Sequence, residues 1–170
     1  MAAPPFILAT KIIREYDASM TRTTSREFEN LGRETSLATV MYHHTVGAAV
    51  GLSVVELQCI DLLGRDGPQT AGAIVRHTGL TSGSVTGLIT RLRDRGLVTR
   101  EVDPTDRRRV LVSLVPGPAL ERITVLYAPI DIAFQRLVHS YAPDERELLR
   151  GFIEQMIALL HEQIDEILGL

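Results

Sequence analysis

The sequence predicts a mainly α-helical protein with a small β-hairpin, in which a compact central domain is flanked by long helices. Three observations predict it. Apolar residues recur every three or four positions over about 22–48, 53–63, 81–95 and 117–168. The period falls to two only across 97–115. A basic island overlaps that alternating segment and lies between more acidic flanks.

At 170 residues the chain suffices for one well-packed domain or a compact domain with an added lobe. Its 45% apolar and 23% charged residues are those of an ordinary globular protein, not a disordered chain. No apolar run approaches the roughly 20 residues that cross a bilayer, so no membrane partner is expected. The first residues, Met1-Ala2-Ala3-Pro4-Pro5, lack the basic start of a secretion signal. A lone Cys59 cannot form an internal disulfide, which fits a reducing cytoplasm.

Residues 1–21 read as an N-terminal arm whose Phe6, Ile7, Leu8, Ile12 and Ile13 need cover. A first long helix follows, in domain terms 22–50, with Phe28, Leu31, Thr35, Ala38, Tyr42, Val46 and Ala49 on one stripe. Leu37, Val40 and Met41 add apolar surface beside it, and Gly47 and Gly51 mark its end. Ser53 with Glu56 forms a capping box for a second helix, and Leu52 with Leu57 supplies a hydrophobic staple. That helix stops at Gly64 and the Asp66-Gly67-Pro68 turn.

Thr70 caps a short third helix with Ile74 and Val75 as its buried positions, ending at Gly79. The fourth helix begins at Thr81 or Ser82 and buries Val85, Leu88, Ile89 and Leu92, with Gly96 as its left-handed C-terminal cap. Two strands follow, joined by the turn residues Asp103-Pro104-Thr105-Asp106.

Residues 117–170 return to helix. Leu120, Ile123, Tyr127, Ile130, Phe134, Leu137 and Tyr141 share a stripe that Pro129 should kink. Pro143 with Asp144 and Glu145 opens a last helix with a wide apolar face from Leu148 to Leu168. The apolar surface of 22–50 and 117–170 exceeds what a small core covers, so a second copy of the chain is the expected partner.

Helix, helix, turn, helix and hairpin over 51–116 is the order of a winged helix-turn-helix domain. The overall expectation is therefore that domain plus a helical dimerisation lobe. The exposed side of the fourth helix carries Ser82, Gly83, Ser84, Thr86, Gly87, Thr90 and Arg91. Small residues let a helix enter a major groove about 12 Å wide, where hydroxyls and a guanidinium meet bases or phosphates. The net charge of −3 conceals an uneven spread: residues 91–116 hold seven Arg against four acids, whereas 117–170 hold four Arg against nine. A contacting face alone must be basic. At the hairpin tip, Arg107, Arg108 and Arg109 can reach a minor groove, whose negative potential favours arginine.

From Leu52 to Leu114 the chain resembles the MarR family of bacterial transcription regulators. The resemblance rests on the segments beginning Thr70-Ala71-Gly72-Ala73-Ile74 and Ser82-Gly83-Ser84-Val85-Thr86, on Arg95-Gly96-Leu97-Val98, and on Asp103-Pro104-Thr105-Asp106-Arg107-Arg108-Arg109. It implies a symmetric homodimer built by the first and last two helices, bound to a pseudo-palindromic double-stranded DNA operator as a ligand-responsive repressor. It also implies that Ser82, Ser84, Thr86, Thr90 and Arg91 face DNA. Asp106 and Arg108 match the family's wing signature, in which the acid braces an arginine that enters the minor groove. The segment Val115-Pro116-Gly117-Pro118 departs from the family pattern.

Relatives often bind small aromatic or phenolic effectors, for which Met41, Tyr42, His43, His44 and Tyr127 are the candidate contacts. The same tyrosines are also explained as core positions on their stripes. Cys59 reads as a buried, inert thiol. The five histidines include no i, i+4 pair, so neither a metal site nor another cofactor is expected. Two rival readings are a winged helix that binds protein instead of DNA, and a small enzyme. The sequence contains no nucleophile elbow or phosphate-binding glycine loop that would favour the enzyme.

Overall fold

The structure, a computed structural model, describes residues 22–169, with side chains from Arg26 onward. The expected arm over 1–21 lies outside the described residues. The chain divides after Val115 into two compact units.

The first unit opens with α1 (Arg22–Val50) and α2 (Val54–Asp66). The helix α1 passes beyond Gly47 because the stop is a Schellman turn: Gly51, at φ 70°, is its left-handed residue, and the Leu52 amide donates to the Gly47 carbonyl at 2.8 Å. Gly47 therefore serves close approach, since a methyl group there would overlap the Leu52 carbonyl oxygen. The α2 start is as expected. Ser53 Oγ accepts the Glu56 amide at 3.3 Å, and Glu56 Oε2 accepts the Ser53 amide at 2.8 Å.

Next come β1 (Gln69–Thr70), α3 (Ala71–Thr78) and α4 (Ser82–Asp94). Thr70 caps α3 and Thr81 caps α4 through their hydroxyls. Gly79 takes a left-handed conformation between them, turning the chain from α3 into α4. At the far end of α4, Gly96 and the Leu97-to-Leu92 backbone bond form a second Schellman turn, and both leucines are buried.

The hairpin consists of β2 (Val98–Val102) and β3 (Val110–Leu114), paired antiparallel from Val98–Leu114 to Val102–Val110. The expected hairpin is present, and a short third strand joins it. The sheet has three strands in the order β1-β3-β2, because Gln69 and Thr70 pair with Val112 and Leu111. Two residues show no alternation, so nothing local marks β1 as a strand.

The core of this unit gathers Leu57, Cys59, Ile60, Leu62 and Leu63 of α2, Ile74 of α3, and Val85, Leu88, Ile89 and Leu92 of α4. Leu97, Val98 and Val112 close it from the sheet side. Val75, expected inside, is half-buried. Because Ile74, Val85 and Leu92 are fully buried, truncating any of them to alanine removes packing and leaves a cavity. That core fixes α4 by its inner face and leaves the other face outward.

The second unit holds α5 (Pro118–His139) and α6 (Pro143–Leu168). Gly117 precedes α5 without a side-chain cap, and Pro118 occupies its first turn, where a missing N–H is harmless. Pro129, where the sequence predicts a kink, lies inside α5, which continues as helix on both sides. Glu145 accepts the Ala142 amide at 2.7 Å to start α6. No residue of α6 is buried; Phe152 is 51% exposed and Leu160 56%.

Among the described residues no single helix is long and apolar enough to cross a membrane. The helices α1 and α2 are so only when counted together across a 93° bend.

Candidate nucleic-acid interface

The expected DNA-facing residues divide between two features of the first unit, the outer face of α4 and the hairpin tip. On α4, Ser82, Gly83, Ser84, Thr86 and Arg91 are exposed and Thr90 is half-buried. The inner face, Val85, Leu88, Ile89 and Leu92, is held by the core, so the 3.6-residue period itself aims the polar set outward.

The hydroxyls are more committed than the sequence suggests. Thr86 Oγ1 donates to the Ser82 carbonyl and Thr90 Oγ1 to the Thr86 carbonyl, each at 2.9 Å. Ser84 Oγ shares a hydrogen bond of 3.0 Å with Thr81 Oγ1. With their protons used along the helix, Thr86 and Thr90 present acceptor lone pairs outward.

Arg91 is the cation that α4 itself places on this face, and it has a partner that local patterning does not reveal. Its Nε donates to Glu56 Oε1 at 2.8 Å, across 35 residues of sequence. The Glu56 side chain is only 7% exposed, whereas that of Arg91 is 59% exposed. Burial alone would raise the Glu56 pKa. Hydrogen bonds from the Ser53 amide, the Arg91 guanidinium and the Ser53 hydroxyl, with the Arg91 charge, outweigh it and hold the carboxyl below its ordinary value. Glu56 was legible only as a cap, not as the residue that fixes Arg91.

One turn further on, the Arg95 guanidinium donates to the Val50 carbonyl at 3.4 Å and lies against Gly51. A cation at this point suits the negative end of the α1 dipole. Arg91 and Arg95 thus fasten α4 to the corner between α1 and α2.

The hairpin tip is organised by two carboxylates. Asp103 is buried, and its Oδ1 accepts the Thr105 hydroxyl at 2.6 Å, the Thr105 amide at 2.8 Å and the Asp106 amide at 3.3 Å. Those bonds, that of the Thr105 hydroxyl foremost, hold its pKa below the usual carboxylate range. Asp106 Oδ1 accepts the Arg108 amide at 3.0 Å. The Asp106 brace therefore acts on the backbone of Arg108. The acid nearest a wing guanidinium is Asp103, 3.9 Å from Arg109 Nε. Arg107, Arg108 and Arg109 are all exposed.

The candidate effector residues occupy both units. Met41, Tyr42, His43 and His44 follow one another on α1, where Tyr42 and His43 are half-buried with ring centroids 6.0 Å apart. Tyr127 is half-buried on α5. Cys59 is fully buried, and burial, assisted by the Glu56 charge, pushes its thiol up to about 11. Among the described residues no group of three His, Cys, Asp or Glu side chains is placed to hold a metal ion.

A sequence profile of the MarR family matches residues 50–109, the segment from the α1–α2 corner to the end of the arginine run. An uncharacterized HTH-type transcriptional regulator of Bacillus subtilis (strain 168), YcgE, is 36% identical over 152 residues, covering 86% of this chain and 97% of that protein. Among solved structures, NadR in complex with 4-hydroxyphenylacetate superposes with a TM-score of 0.58 at 20% identity, over 75% of this chain and 90% of that one. A mutant of S. aureus MepR bound to an oligodeoxyribonucleotide gives a TM-score of 0.52 at 19% identity, over 78% of this chain and 97% of that one. Near-complete coverage of YcgE, with the winged-helix architecture found here, places the chain in the MarR family of DNA-binding transcription regulators, which are not enzymes.

Proposed function

We propose that this regulator acts in the cytoplasm as a symmetric homodimer on a pseudo-palindromic double-stranded operator and represses transcription by occluding polymerase. In this reading, each α4 enters a major groove, with the two helices about 34–36 Å, or one DNA turn, apart. Ser82, Gly83, Ser84, Thr86, Thr90 and Arg91 meet bases and nearby phosphates. Arg107, Arg108 and Arg109 reach the adjoining minor groove and backbone, and Asp106 holds the Arg108 backbone for that contact.

The observation that carries the reading is the pairing of an outward α4 face with a tip of three exposed arginines on a hairpin anchored by buried Asp103. Dimerisation is supported by apolar side chains that stand exposed among the described residues: Leu31 and Met41 on α1, and Ile153 and Leu160 on α6. A second copy covers such a surface with itself under two-fold symmetry.

An aromatic or phenolic effector is part of the proposal, with Met41, Tyr42, His43, His44 and Tyr127 as its candidate contacts. NadR, a structural neighbour, holds 4-hydroxyphenylacetate. Such an effector releases DNA only if it binds the DNA-incompetent dimer geometry more tightly than the competent one.

A mobility-shift titration with upstream intergenic DNA, run at several salt concentrations, tests the function. A salt-sensitive shift that survives excess competitor DNA is expected. Absence of any shift would favour the rival reading of a winged helix that binds protein instead of DNA.

A further inference from the structure

Arg91 is exposed, but it is not free to choose its geometry. A guanidinium can meet the two acceptors of a guanine either side-on, through Nε and one Nη, or end-on, through Nη1 and Nη2. Glu56 already takes the Nε proton at 2.8 Å. Glu56 itself cannot swing aside easily, because its other oxygen accepts both the Ser53 amide at 2.8 Å and the Ser53 hydroxyl at 2.9 Å. The side chain leans back along α4 over Gly87, where Nη1 lies 3.5 Å from the position a Cβ would take. That puts Nη1 over Gly87, a position without a side chain on the outer face of α4.

The geometry points to Glu56 as a positioning residue that presents Arg91 end-on to the O6 and N7 edge of a guanine in each half-site. The inference deepens the DNA-binding reading and rests on it. Charge favours a base over a phosphate. A carboxylate 2.8 Å away offsets the arginine charge, so the pair offers a phosphate little net attraction. What remains is a directed two-donor fork. Arg91 thus differs from the wing arginines, contributing selectivity with little salt dependence.

The test uses the full chain and two duplexes: one selected by the unaltered protein from a random pool, and one with the same bases scrambled. Affinities are measured by fluorescence anisotropy for the unaltered protein, Glu56→Gln, Arg91→Ala, Arg91→Lys and the Glu56→Gln/Arg91→Ala pair. Glutamine still accepts the Ser53 amide, so the α2 cap is kept. Arg91→Ala should reduce the selected-to-scrambled ratio by roughly 5- to 150-fold per guanine read, and Arg91→Lys similarly, since an ammonium offers no planar fork. Glu56→Gln should lower the ratio several-fold while holding or raising affinity for the scrambled duplex. Added to Arg91→Ala, it should change the ratio no further.

A purely structural ion pair would weaken both duplexes equally, or give additive effects, and either result overturns the inference alone. Failure of the unaltered protein to hold any duplex overturns the DNA-binding reading as well.

Discussion

The Asp103 carboxylate, buried at the base of the wing turn, accepts the Thr105 hydroxyl at 2.6 Å, a bond reinforced by the backbone amides of Thr105 and Asp106. One side chain thereby fixes the two residues, Thr105 and Asp106, that lead into Arg107–Arg109. Asp103→Ala should leave the melting transition nearly intact but speed amide hydrogen exchange at Thr105 and Asp106. DNA affinity should fall several-fold, because mobile arginines lose more entropy on binding. Unchanged exchange at those amides would contradict the anchor.

Arg108 sits at the exposed tip with its backbone held by Asp106. Arg108→Ala should weaken DNA binding by about 1–3 kcal/mol and flatten the dependence of log affinity on log salt. Anisotropy titrations at several salt concentrations check both. Unchanged affinity and slope would remove the wing from the interface.

The Glu56–Arg91 pair carries a pH signature. The Glu56 pKa is lowered on folding, so its stabilisation is fully present above the unfolded value of about 4.3 and is lost as pH falls through the folded value. Its worth is modest, about 1 kcal/mol, because the arginine end is exposed to solvent. Denaturant unfolding should find Glu56→Gln less stable than the unaltered protein near pH 7, with the gap closing as pH falls below the unfolded carboxyl value and through the lowered folded one. A gap independent of pH would show that the charge is not what matters.

Cys59 has no exposed surface, and its thiol is pushed up to about 11. A thiol-specific disulfide reagent at neutral pH should react with folded protein at least about 100-fold more slowly than with protein in denaturant, since reaction needs both exposure and thiolate. Fast labelling of the folded chain would contradict the buried, inert reading.

The elements legible in the sequence were those specified locally. Ser53, Thr70 and Thr81 cap helices because a hydroxyl reaches an amide three residues on, and Gly79 and Gly96 turn the chain because only glycine is unstrained at their positive φ. The exposed polar face of α4 followed from the same 3.6-residue period. What escaped was non-local. The strand β1 exists only because Gln69 and Thr70 meet Val112 and Leu111, more than 40 residues away. Glu56 already had a sufficient local explanation as a cap, which masked its bond to Arg91. Arg95 likewise reaches the Val50 carbonyl across 45 residues.

In the proposed complex two copies of α4 read one operator together. Hydroxyl-radical footprinting of the bound, selected duplex reads out that arrangement. Two equivalent protected regions related by a dyad are expected, with centres about 10–10.5 base pairs apart and flanking minor-groove protection from the wings. A single protected region without symmetry, at protein concentrations that saturate the duplex, would contradict it.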